Sequence, residues 1–113
     1  MTTYATNYYK VTLADRARSD ASVMRVTYLL GGVSTEQNLE ITTAVDSDSG
    51  DATYRTDVSA AINDGGNNTI TEGAQITRAA VRTDSGEEMV VREYDTALVV
   101  SSAPVTITLS LRF

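Results

Sequence analysis

The stretch Val105-Thr106-Ile107-Thr108-Leu109-Ser110-Leu111-Arg112-Phe113 alternates without a break between apolar and polar residues. A strand sends successive side chains to opposite faces, so this spacing predicts a strand with one face on a core and its back to water. Pro104, the only proline of the chain, stands where that strand begins, a place that requires no ladder N–H.

The same period of two recurs towards the N-terminus. Tyr9, Val11 and Leu13 alternate with Lys10 and Thr12, and Met24, Val26, Tyr28 and Leu30 form one face of the next segment. Gly31-Gly32 follows, two residues that accept positive φ, which predicts a tight two-residue hairpin. Leu39, Ile41, Thr43 and Val45 continue beyond it, up to the turn Asp46-Ser47-Asp48-Ser49-Gly50-Asp51 and a short extended piece at Thr53 to Arg55. Residues 75–82 and 88–94 flank Asp84-Ser85-Gly86 and predict a second hairpin, with a further short strand at Leu98 to Val100.

One segment carries helical signals. Thr56 or Asp57 can cap it, Val58, Ala61 and Ile62 fall on one face, and Gly65 can close it, so a short helix is expected near residues 56–63. The run Asn63-Asp64-Gly65-Gly66-Asn67-Asn68 is the strongest break in the chain. Each half around it holds an Asp-Ser-Gly turn, but the flanking strands are out of register by one, which reads as two ordinary hairpins and not as a repeat. The fold expected is all-β and mainly antiparallel. It is a β-sandwich or small barrel of about seven or eight short strands with that one helix. A flexible arm over 1–8 precedes a single β-domain over 9–113.

The chain has 113 residues, one proline, no cysteine and no histidine. That length suits one core without staples. Missing Cys and His exclude disulfides, Ser-His-Asp and Cys-His catalysis and the usual zinc sites. The formal net charge of −6 disfavours nucleic-acid and anionic membrane partners. Arg16, Arg18 and Arg25 are too few for a phosphate-tracking patch and suit a solvated face or a subunit contact. The polar start, Met1 to Asn7, lacks the basic end and apolar run of a signal peptide, so export by that route is not expected. Paired carboxylates at Glu87-Glu88, Asp46-Asp48 and Glu93-Asp95 lie on or near expected turns and surface strands, without the walled cleft a glycosidase requires. No enzymatic activity and no cofactor are expected.

Two features remain. Asp46, Asp48 and Asp51, with Asp57 downstream, offer the hard oxygen ligands calcium uses, but Gly50 and Asp51 reverse the order of a helix-flanked calcium loop. These turns therefore read first as backbone-bonding turn formers. Tyr4, Tyr8 and Tyr9, with Lys10, sit in a polar N-terminal segment, and tyrosine is amphipathic and enriched at protein interfaces. Tyr28, Tyr54 and Tyr94 are expected in or beside the core. With one Phe and no Trp that core is thin, which points to further burial between subunits.

Taken over its whole length, the chain resembles the small structural proteins of tailed bacteriophage virions, of the capsid-decoration (cement) or tail and baseplate type. The features are small size, Thr-, Asp-, Ser- and Gly-rich strands and turns, no Cys or His, and a polar N-terminal arm. The resemblance implies a homo-oligomer that docks on capsid or tail subunits, assembled in the host cytoplasm and located in the virion. The tyrosine-bearing segment Thr2 to Lys10 is the part expected to swap or clamp onto a neighbour. The alternative is a free β-sandwich binding module, carbohydrate-binding or adhesin-like, with calcium in the acidic turns.

Overall fold

The computed structural model describes residues 6–48 and 53–113; side chains at 7, 8, 11, 45–48, 53 and 54 lie outside that description. Among the described residues the order is α1 (Asn7–Asp20), β1 (Val23–Leu30), β2 (Val33–Leu39), β3 (Thr42–Asp48), β4 (Thr53–Ile62), β5 (Gln75–Arg82), β6 (Glu88–Val99) and β7 (Val105–Arg112). All strand pairs are antiparallel. They form a four-stranded sheet, β2-β1-β5-β6, and a three-stranded sheet, β3-β4-β7.

The two sheets face each other across one apolar core, the sandwich of the two expected architectures. Met24, Val26, Tyr28, Ile76, Ala79 and Val81 come from the first sheet, and Val58, Ala60, Ile62, Ile107 and Leu109 from the second. The alternation of β7 is met as read: Ile107 and Leu109 are buried, whereas Thr106, Thr108 and Ser110 are exposed. Gly31 and Gly32, at φ 60° and 79°, turn β1 into β2 with Leu30 opposite Val33. Positive φ at both central residues matches the right-handed strand twist, and glycine takes it without a Cβ penalty.

The helix is at the other end of the chain from where it was expected. Residues 56–63 are not helical: β4 runs through Thr53–Ile62 as the middle strand of its sheet. Thr56, Val58, Ala60 and Ile62 are all buried, a period of two rich in β-branched residues. Ala61 on the outer face makes Val58, Ala61 and Ile62 mimic a helical stripe, and the competition is settled by pairing with β3 and β7. Conversely, the alternation of Tyr9, Val11 and Leu13 does not make a strand. It stops at Leu13, after which Ala14, Arg16, Ala17 and Arg18 are good helix formers. Thr6 caps the helix, its Oγ1 accepting from the Tyr9 N–H at 3.4 Å. Asp15–Arg18 and Arg16–Asp20 lie one turn apart at 3.5 and 3.8 Å, both exposed. Much of the expected arm, residues 1–5, lies outside the described residues, and Asn7 and Tyr8 belong to α1.

Helix α1 lies against β3, β4 and β7. The inner face of their sheet is thus divided. From Val58 to Ile62 it meets the first sheet, and at Thr56 it meets α1, through buried Ala14 and Ala17. Thr56, fully buried, donates its hydroxyl to the Ala14 carbonyl at 2.6 Å. Removing that hydroxyl by Thr56→Val, at unchanged shape, should cost about 1 kcal/mol in denaturant unfolding. Amide exchange should quicken selectively in α1, because this bond joins the helix directly to the middle strand of its sheet.

Two strand readings are also amended. The run from Leu39 to Val45 is not one strand: it breaks at Glu40-Ile41, where the chain leaves the first sheet for the second. Residues 88–94 and the piece starting at Leu98 are not separate strands, because β6 runs unbroken from Glu88 to Val99. Its pairing jumps from Arg78↔Glu93 to Ile76↔Leu98, and the extra residues bulge there.

Candidate functional site

The crossing at Glu40 is held by side chains of the Asn63–Asn68 loop. Asn68, only 9% exposed, accepts from the Glu40 N–H at 2.7 Å and donates to the Glu40 carbonyl at 2.8 Å. One amide side chain thereby replaces a neighbouring strand. Asn63 does the same for Ile70, donating to its carbonyl and accepting from its N–H, each at 3.0 Å. Asn63 is also the one non-glycine residue at positive φ, 57°, among the described residues, a conformation asparagine tolerates. Both side chains are committed to the backbone, so this loop works as a clasp.

Beside the clasp lies an open groove of about 370 Å³, lined by Glu40, Thr42, Ser59, Asp64, Asn67 and Thr106. Asn67 donates to both Glu40 carboxylate oxygens, at 3.1 and 3.2 Å, and Asp64 accepts from the Gly66 N–H at 3.0 Å. Its lining mixes carboxylates, hydroxyls and amides with the apolar side chains of Ile41 and Ala61, and holds no cation and no activated nucleophile. Such a surface can hydrogen-bond a hydroxyl-rich ligand.

The outer face of the first sheet is charged and internally compensated. Arg25 bonds Asn38 at 3.0 Å and Glu36 at 3.2 Å. Arg78 grips Glu88 with both terminal nitrogens and lies 3.9 Å from Glu93. The Arg78 hydrogen bonds hold the Glu88 carboxyl below the usual carboxylate range, and the same bonds raise Arg78. Because the folded-state pKa of Glu88 is depressed, the contribution of the pair is present above its unfolded value and is lost as pH falls through the lowered one. An NMR titration should place the Glu88 midpoint below that of an ordinary glutamate, and Arg78→Leu should return it upward. The exposed position keeps the effect on stability small.

The sequence-derived candidates are scattered. Arg16 and Arg18 lie on α1 and Arg25 on β1, so they form no single basic patch. Tyr4 and Asp51 lie outside the described residues, as do the side chains of Tyr8, Asp46 and Asp48. Tyr9 is 56% exposed on α1 and Lys10 beside it is half-buried. Asp57 stands in β4, where it accepts from Arg55 at 3.3 Å and from the Ser110 hydroxyl, and both its oxygens are engaged. Among the described residues no group of three or more acidic side chains is placed to hold a metal ion, and no helix is long and apolar enough to cross a membrane. Tyr28 is buried, with its hydroxyl 3.3 Å from Gln37, and Tyr94 flanks the core.

What the sequence does not show is which strands are edges. The four are β2, β6, β3 and β7. Natural edges are blunted by charge, bulges or cover. The far end of β2 is tied down, Gln37 donating to the Thr69 carbonyl at 2.9 Å and the clasp holding Glu40. β6 is interrupted by its register shifts, and β3 carries Asp46 and Asp48. β7 pairs with β4 over eight consecutive residues without a shift and has no carboxylate on it. Its opposite side makes no further backbone hydrogen bond among the described residues. No family model matches the chain, and neither the curated proteins nor the solved structures yield a match.

Proposed function

We propose that the protein is a non-enzymatic structural component that acts by self-association and by docking on a protein shell. Its role is that of the small decoration or tail proteins of phage virions. The observation supporting this reading is the open edge of β7, a regular row of backbone groups with no strand partner among the described residues and with Arg112 as its only charge. Such an edge is a docking point for a further strand. The test is the solution mass of the purified chain by light scattering, compared with a form lacking residues 1–5, which keeps the Thr6 cap and all of α1. A defined oligomer supports the reading, and dissociation on truncation assigns the N-terminal segment a clamping role. A monomer at every concentration removes self-association and shifts weight to a free binding module.

That second reading is favoured by the groove beside Glu40, whose carboxylates and hydroxyls suit a polyhydroxylated ligand. Thermal stabilisation of a monomer by glycans, abolished by Glu40→Ala, is the result it requires.

A further inference from the structure

The edge of β7 is built to pair with itself, and we propose that its occupant is the β7 strand of a second copy of this chain, related by a two-fold axis. This rests on the self-association just proposed and names the surface that carries it. An antiparallel strand pair brings side chains of the same face opposite each other, and a slip of one residue exchanges the faces. Since β7 has one apolar and one hydroxyl-bearing face, only registers that keep the faces in phase are allowed. Two of them pair seven of the strand's eight residues. With the axis at Thr108, Val105 faces Leu111 of the copy, Ile107 faces Leu109, and Thr106 faces Ser110. With the axis at Leu109, Ile107 faces Leu111, and Thr108 faces Ser110. In both, every apolar residue meets an apolar one and no carboxylate is opposed.

Charge points to the same edge. Two copies with a net charge of −6 repel each other wherever carboxylates meet. On β7 the only charged residue is Arg112, and the nearby Asp57 on β4 is already held by Arg55 and Ser110. Pairing here would join the two three-stranded sheets into one continuous six-stranded sheet and cover Val105 and Leu111, which are half-buried at present.

Thr108 and Ser110 are exposed on the outer face, so charges placed there do not enter the core; they replace hydroxyls bonded to Ser59 and Asp57, and each variant's unfolding midpoint is therefore measured beside its mass. The double variant Thr108→Lys, Ser110→Lys sets like charges opposite one another in either register, and Thr108→Glu, Ser110→Glu does the same with the opposite sign. The wild type is expected to run as a dimer and each variant alone as a monomer, with an equal mixture of the two returning to dimer mass. Amide exchange of the wild type supplies a readout free of substitution: paired edges protect every β7 amide, and an open edge only alternate ones. A dimer that survives both variants, or alternate protection in a wild-type dimer, overturns the β7 pairing while self-association stands. A wild-type monomer overturns both.

Discussion

Asn68→Ala is expected to lower the stability of the fold by about 3 kcal/mol, read as a reduced denaturant midpoint at unchanged slope. The substitution removes two hydrogen bonds at once, and both partners are main-chain groups of Glu40 at a point where the chain passes between sheets. Neither group has a strand neighbour there to fall back on. Each lost bond is worth about 1 kcal/mol net, and the Glu40 groups, whose bonds are part-buried, add about 1 kcal/mol between them where water replaces Asn68 incompletely. Asn68→Asp is the informative companion. It keeps an acceptor for the Glu40 N–H but sets a carboxylate against the Glu40 carbonyl, so it should be as damaging as alanine at neutral pH. Asn67→Ala is the control: its exposed side chain bonds only the Glu40 carboxylate, and the change should stay within about 0.5 kcal/mol.

Ile76→Ala should cost about 3–4 kcal/mol by the same measurement. Ile76 is fully buried in β5, an inner strand of the four-stranded sheet, with Tyr28 opposite on one side and Leu98 on the other. Truncation removes buried apolar surface and leaves a void that two ladder-bound neighbours cannot close by shifting. Position 99 is the contrast. Val99 lies in the adjacent pairing with Gln75 but is 59% exposed, so Val99→Ala should be nearly silent. Domains of this size are stable by roughly 5–15 kcal/mol, so the Ile76 and Asn68 changes combined should consume about half or more of that margin.

The contrast between what could and could not be read in the sequence has physical causes. The strand at Val105 to Arg112 was legible because burial on one face only imposes a period of two. The Gly31-Gly32 turn was legible because few residues accept its backbone. The helix was misplaced because local signals conflicted at both sites. Tyr9, Val11 and Leu13 alternate by coincidence over one helical turn and a half, and the outward Ala61 hides the alternation of β4. A better signal was present in the Thr6 cap and the Ala14/Ala17 spacing. The role of Asn68 has no local signature at all: its partner lies 28 residues away, and turn-forming composition is the only trace it leaves. The edge position of β7 is equally hidden, since strand order belongs to topology and not to periodicity. Of the interface candidates named from composition, Tyr9 and Lys10 fall on α1 and not on the edge strand that the sheet order exposes.

The pairings β1–β5 and β4–β7 have a kinetic consequence. Val26 meets Ala79 and Val58 meets Leu109, each across about fifty residues of chain. The two spans overlap, so the second opens before the first has closed. Each sheet therefore waits for strands made on both sides of the Asn63–Asn68 clasp, and neither half of the chain can fold first and template the other. Folding should be slow for the size, on the millisecond-to-second scale of non-local β-topologies, with a single cooperative transition. A chain cut within the clasp should yield two unstructured fragments that regain structure only on mixing.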